Sequence, residues 1–399
     1  MKKKKLAIIS THPIQYNAPV FRALAQSAEI QPKVFYTWSQ SASGTIFDPG
    51  FGVELQWDIP LLEGYAHEFI PNVAKRPGIK HVFGIRNPGL KKAVSEWDAD
   101  AVLIYGWNFF SHLQLMRQLK GRIPIFFRGD STLLDVAPPL RRFARKLALT
   151  WVYKHIDIAI AVGQNNADYF AWCGIPWNRI AFAPHSIDTR RFIGSTKAHA
   201  EQIRTWRKQL GIGRDDFVFV YAGKFISKKD PVLLIDAFMQ LSASAHLVFF
   251  GDGELARELE TRASGHSAIH FLPFQNQSAM PAVYRLGNVF VLPSRGPGET
   301  WGLALNEAMA SGRPVISGSK AGAARDLIMP GVNGWIFESG NLRALIAALQ
   351  TAIDYGRDRL LEMGCENQKI SRNWSSEDTA RRFTEIVHGD LSSRRGSFE

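Results

Sequence analysis

Two cysteines in 399 residues, Cys173 and Cys365, are too few and too far apart for a disulfide framework or a zinc site. A reducing cytoplasm fits that usage. No apolar run approaches the roughly 20 residues of a membrane helix. The opening Met1–Lys5, then Leu6–Ser10, has the basic-then-apolar order of a signal peptide. Its apolar part is short and no small-residue cleavage site precedes His12-Pro13, so it reads as a first β-strand. Apart from Asp98-Ala99-Asp100 no Asp-x-Asp pair occurs, and no metal is expected; no other cofactor is expected either. No internal repeat, low-complexity segment or nucleic-acid motif appears beyond the lysine cluster.

What is present is ordinary globular material, 46% hydrophobic and 21% charged, in a chain long enough for two α/β domains. Charge is lopsided. Residues 1–200 hold 25 Lys and Arg against 14 Asp and Glu, which is nearly all of the net +12. A basic half suits an anionic membrane surface or a lipid-linked acceptor, or serves solubility alone.

In the first half, strand-like runs (Leu6–Ser10, Gln31–Tyr36, Ala101–Tyr105, Pro124–Arg128, Ile156–Val162) alternate with helical ones (Ala18–Gln26, Asn87–Glu96, Leu113–Leu119, Leu140–Tyr153, Asn165–Trp172). That alternation predicts a doubly wound parallel sheet. Residues 37–72, aromatic-rich and poorly periodic, read as a loop region. A polar helical stretch near 196–207 precedes a second α/β series from Phe217 onward, so we place a boundary near 190.

The densest pattern runs over residues 293–316, Pro-Ser-Arg-Gly-Pro-Gly-Glu-Thr-Trp-Gly-Leu-Ala-Leu-Asn-Glu-Ala-Met-Ala-Ser-Gly-Arg-Pro-Val-Ile. It reads as loop, helix, strand, with Glu299 at the helix mouth and Glu307 about two turns further in. A carboxylate at a helix N-terminus offsets the helix dipole. Beside a Gly-rich phosphate cradle, two carboxylates also suit a ligand with hydroxyls on both sides of its phosphates.

Glu-x7-Glu followed by Ala-Met-Ala-x-Gly-x-Pro-Val-Ile resembles the signature of the family 4 retaining glycosyltransferases (glycosyl transferases group 1). Their GT-B fold is two Rossmann-like doubly wound parallel-sheet domains facing across a cleft. The resemblance implies an N-terminal acceptor domain over 1–190, a C-terminal nucleotide-sugar donor domain over 191–375, and a last helix, 376–399, returning to the first domain. It implies that Glu299 binds the donor sugar, Glu307 holds the ribose hydroxyls, and the backbone of Trp301, Gly302 and Leu303 faces the phosphates. Gly223-Lys224-Phe225-Ile226-Ser227-Lys228-Lys229-Asp230 is similar to the family's Gly-Arg-Leu-x-x-x-Lys-Gly, with Lys224 in the Arg position and Asp230 in place of Gly. Two cations aimed at a departing diphosphate stabilise the transition state more than the ground state. Gly251-Asp252-Gly253 resembles the family's turn near the nucleotide, and Phe271–Phe274 the segment whose backbone meets the base, which places Phe274 in the set.

In the first half, Arg128-Gly129-Asp130 stands where many relatives carry His-Gly. Arg128 stays protonated and cannot be a base. It either binds a phosphate or the donor sugar, with Asp130 on sugar or acceptor, or the two form a structural salt bridge. His12 is an acceptor-side candidate or a satisfied loop residue. Pro184-His185-Ser186-Ile187-Asp188 with Arg191-Phe192 resembles the family's hinge. Residues 141–151 form a basic amphipathic helix that either lies on an anionic membrane or caps the domain. The expected activity is retaining, metal-independent transfer of a sugar from a UDP- or GDP-linked donor to a glycan or lipid-linked acceptor. A nucleotide-sugar 2-epimerase and a non-catalytic sugar-nucleotide-binding protein are the alternatives.

Overall fold

A computed structural model describes residues 2–39, 45–48, 53–135, 138–194 and 196–389. They divide into two compact units. The first takes the described residues within Met1–Ile46, Pro60–His185 and Ser376–Glu399; the second takes those within Phe47–Ile59 and Ser186–Ser375.

The strands in chain order are β1 (Lys4–Ser10), β2 (Ile30–Tyr36), β3 (Thr45–Asp48), β4 (Val53–Gln56), β5 (Ala66–Phe69), β6 (Ala101–Tyr105), β7 (Ile125–Arg128), β8 (Ile158–Ala161) and β9 (Ile180–Phe182). Among the described residues, seven of them make one sheet in the order β5-β2-β1-β6-β7-β8-β9, parallel throughout, and β3 pairs separately with β4. Strand residues alternate between faces. Leu6 and Ile8 of β1 join one apolar cluster, and Ala7 and Ile9 join the other. A sheet buried on both faces needs helices on both. One side takes α2 (Leu90–Glu96), α3 (Phe110–Leu119), α4 (Pro139–Tyr153) and α5 (Gln164–Trp172). The other takes α1 (Asn17–Ala25), beside a helix that opens at Ser376 and packs Ala380, Phe383, Ile386 and Val387 against the same cluster.

The region read as a loop, residues 37–72, needs correcting. Its described part contains β5, an edge strand in register with β2 from Lys33–Ala66 to Tyr36–Phe69. An edge strand needs one partner and leaves little periodicity to see. Its aromatic content is used locally: Phe69 stacks on Tyr36 with ring centroids 5.1 Å apart, and the Tyr36 and Tyr65 hydroxyls meet at 2.7 Å. Residues 40–44 and 49–52 of that region lie outside the described set.

The second unit begins with α6 (Thr189–Ile193) and α7 (Lys197–Gln209). Six strands follow: β10 (Val218–Ala222), β11 (His246–Phe250), β12 (Ile269–Leu272), β13 (Val289–Leu292), β14 (Val315–Gly318) and β15 (Gly334–Phe337). Their helices are α8 (Pro231–Phe238), α9 (Ala256–Arg262), α10 (Met280–Leu286), α11 (Leu303–Ala310), α12 (Ala324–Leu327), α13 (Leu342–Asp354) and α14 (Gly356–Ser371), and α15 (Ser376–His388) is the helix that packs on the first unit. The order β12-β11-β10-β13-β14-β15 is parallel throughout. The chain winds outward from β10 through β12, then restarts at β13 on the other side of β10. Loops leaving adjacent strands in opposite directions open a crevice at their carboxyl ends, the usual ligand position in such sheets.

Candidate active site

Two loops with charged side chains meet at the carboxyl ends of β10 and β13. The loop after β10 carries Gly223–Asp230, and the loop after β13 carries Pro293–Gly302. Lys229 Nζ lies 2.9 Å from Glu299 Oε1 and 2.8 Å from Oε2, and Glu299 is only 6% exposed. Other contacts tie the two loops together. The Arg295 N–H donates to the Lys228 carbonyl (3.0 Å), and Arg295 Nη2 donates to Ser227 Oγ (2.9 Å). Lys228 Nζ donates to the Gly298 carbonyl (3.1 Å), and Arg295 Nε stands 3.6 Å from Asp230 Oδ2.

Glycine fixes the path of the second loop. Gly302 has φ +107°, a conformation side chains rarely adopt, and from it α11 starts. A Cβ on Gly322 would fall 1.8 Å from the Thr300 carbonyl oxygen. That close approach lets the Gly322 and Ala323 N–H groups donate to the Glu299 and Trp301 carbonyls at 3.1 and 2.9 Å. Trp301 is buried, donates Nε1–H to Asn306 Oδ1 (2.9 Å), and lies against Trp374 with ring centroids 5.3 Å apart. The backbone of Gly302 and Leu303 is thus held at the N-terminus of α11, where the first-turn N–H groups have no partner within the helix.

Asp230 explains the departure from glycine in the Gly-Lys…Lys-Asp motif. Its φ is +52°, left-handed, at the residue preceding Pro231 of α8. Asp is among the few side chains that tolerate this region. Burial raises its pKa, opposed by Arg295.

Sequence reasoning did not single out Tyr221 or assign a role to Arg295. Tyr221, on β10, reads as plain core. Its hydroxyl donates to the Lys224 carbonyl (2.8 Å), and its pKa is pushed up by burial, then by Glu299 and Asp230. It therefore stands beneath both loops. Lys224 is half-buried on the first of them. Glu307 is buried on α11, and its Oε2 accepts from the Tyr284 hydroxyl at 2.6 Å. Gly223 follows β10 and donates its N–H to the Phe250 carbonyl; Gly253 follows β11; Phe274, half-buried, follows β12. The second unit thus brings Lys229, Glu299 and the α11 N-terminus together, and holds Glu307 deeper against α10.

Arg128 and Asp130 lie in the first unit. Arg128 is buried at the end of β7, and its Nη1 and Nη2 donate to the Ala183 and Pro184 carbonyls at 2.8 and 2.7 Å. Its guanidinium lies 5.1 Å from the Phe383 ring centroid, over α15. Two of its five N–H donors are thus spent on backbone, so Arg128 braces the 183–184 segment whatever else it binds. Asp130 is exposed beside it. His185, read only as part of a hinge, belongs to this cluster. Its pKa is lowered to about 4, by burial first and Arg128 second, with Asp130 acting the other way. His12 is shifted down by burial, with Nδ1 2.9 Å from Thr11 Oγ1 and its ring edge-on to Trp38.

Two doubly wound parallel sheets of this kind define the GT-B class, and solved structures agree. HepE of Anabaena, in complex with UDP and glucose, superposes with a TM-score of 0.71 at 18% identity, over 97% of this chain and all of that one. Residues 202–367 match the family model "Glycosyl transferases group 1". That match lies within the second unit. A D-inositol 3-phosphate glycosyltransferase of Geodermatophilus obscurus is 28% identical over 49% of this chain and 44% of its own length. A UDP-Gal:alpha-D-GlcNAc-diphosphoundecaprenol alpha-1,3-galactosyltransferase of Escherichia coli is 26% identical over 48% and 50%. The chain spans about half the length of these curated relatives.

Proposed function

We propose that the chain is a family 4 retaining glycosyltransferase. It moves a sugar from a UDP- or GDP-linked donor to a glycan or lipid-linked acceptor in surface polysaccharide or glycoconjugate assembly. The reaction is metal-independent and belongs in the cytoplasm. The observation that carries this reading is the Lys229–Glu299 pair, seated beside the N-terminus of α11 at the switch point of a parallel sheet.

The diphosphate lies against the first turn of α11, with Lys229 and Lys224 as counter-charges. Glu299 accepts from donor-sugar hydroxyls, and Glu307 from the ribose. As the bond from the anomeric carbon to the phosphate oxygen breaks, its electron pair stays on the diphosphate. The acceptor oxygen bonds to the same face of that carbon and passes its proton to the departing phosphate. Cations and N–H groups preorganised around the growing negative charge lower the barrier without reorganising. Relatives acting on lipid-linked and inositol phosphate acceptors, and a neighbour holding UDP and glucose, support the substrate classes.

A panel of nucleotide sugars tested by thermal shift should raise Tm for one UDP- or GDP-sugar. With that donor and excess chelator, product NMR should show the anomeric configuration kept. Inversion, or a strict metal requirement, would reject the mechanism. Sugar interconversion with no acceptor present would assign the fold to an epimerase instead. Tight binding with neither reaction would leave a sensor.

A further inference from the structure

The apolar side chains in the first turns of helix α4 cover almost nothing. Leu140, Phe143, Leu147 and Trp151 are 81, 59, 58 and 48% exposed, although four large apolar side chains ordinarily seek a core. At about 100° per residue they fall in one stripe along the helix. Arg141, Arg142, Arg145 and Lys146 occupy the other side, where Arg142 and Lys146 lie over the Trp172 ring and Arg145 over Tyr169. The cations thus anchor the helix to α5 while the apolar stripe points away from the body of the unit.

The face does not end with α4. Phe83 is 62% exposed and Val73, Ile79 and Val82 are exposed beside it, in a segment that also carries Lys75, Arg76 and Lys80. Helix α3 links this patch to the stripe. Phe110 meets Phe83 at its start (5.8 Å), and Arg117, seven residues on and on the same side, lies 5.6 Å over Trp151. Apolar side chains and cations therefore share one side of the first unit.

We propose that this face seats on an anionic phospholipid bilayer, with Leu140, Phe143, Leu147 and Trp151 inserted at the boundary of head groups and acyl chains. Arg117, lying over Trp151, and the exposed Lys75, Arg76 and Lys80 stand on the apolar side and would meet the lipid phosphates. Charge selects the occupant. A second copy of this chain would bring two sets of Arg117, Lys75, Arg76 and Lys80 face to face, whereas an anionic lipid surface attracts them. No helix among the described residues is long and apolar enough to cross a membrane. The proposal is independent of the sugar chemistry.

The test is co-sedimentation of the full chain with phosphatidylcholine vesicles, with and without about 30% phosphatidylglycerol. Binding should need the anionic lipid and weaken as salt rises. The variant L140S/F143S/L147S should keep the parent melting temperature, because the side chains are exposed, and lose about tenfold or more in partitioning. Arg141→Glu should weaken binding at low salt alone. Equal binding of parent and triple variant would overturn the proposal. So would no binding to either vesicle, or a dimer in light scattering that the triple variant dissolves.

Discussion

Lys229 and Glu299 are 70 residues apart in the chain, and each is the other's charge partner: Nζ stands 2.9 and 2.8 Å from the two carboxylate oxygens. Both are largely withdrawn from water. Removing one partner strands the other, which in such settings costs about 3 kcal/mol, while removing both costs much less. Lys229→Met should therefore destabilise the protein, and Lys229→Met with Glu299→Gln should recover about 1–3 kcal/mol relative to the sum of the singles. Urea unfolding of the four proteins checks this, and strict additivity would dissolve the pair.

The same two groups are assigned to the donor. Glu299→Gln and Lys229→Ala should each lower transfer by about a hundredfold or more, with far-ultraviolet circular dichroism unchanged at room temperature. Normal turnover in either variant would remove this crevice from the chemistry.

Asp230 holds a left-handed backbone at φ +52°. Glycine takes that conformation freely, and a β-branched residue resists it. Asp230→Gly should lie within about 1 kcal/mol of the parent, offsetting the lost Arg295 contact with relieved strain, and Asp230→Val should cost about 2 kcal/mol. Equal losses in the two variants would show that the side chain, not the backbone, matters at this position.

These residues also show what could be read beforehand. The β13–α11–β14 segment was legible because its punctuation is local: Pro and Gly mark the loop, and Glu299 and Glu307 fall on either side of a helix start that Gly302 makes obligatory. The alternation of strands and helices was legible for the same reason. What stayed hidden depends on partners distant in sequence. Tyr221 matters because loops 224–230 and 293–302 pass over its hydroxyl, and β5 exists because β2 offers an edge. Arg128 was legible only as a ligand for phosphate or sugar or as half of a salt bridge, because nothing near it in sequence shows that the 183–184 carbonyls lie within its reach.

That brace makes its own prediction. Arg128→Gln should leave the Ala183 carbonyl short of a donor, while Pro184 keeps the Thr379 hydroxyl at 3.1 Å. It should cost about 1–3 kcal/mol, while donor-induced thermal shift stays within about twofold in apparent Kd. Unchanged stability together with lost donor affinity would assign Arg128 to the ligand rather than to the brace.

His112 sets a pH limit on the first unit. It is fully buried; its Nδ1 lies 3.0 Å from the Gly106 carbonyl and its Nε2 lies 3.1 Å from Thr37 Oγ1. A carbonyl only accepts, so Nδ1 carries the proton and Nε2 is the acceptor. A second proton would place a charge in a fully buried site. Burial accordingly lowers the pKa from 6.5 to about 4, against the opposing effect of backbone carbonyls. Between those values the unfolded chain binds the proton that the folded one refuses, so stability falls as pH falls. The contribution is fully present above about pH 6.5 and is lost progressively toward pH 4, a change of about 3 kcal/mol. Unfolding midpoints of the parent and His112→Gln, followed from pH 7 to 4, should converge by that amount. Parallel pH profiles would show that His112 titrates alike in both states.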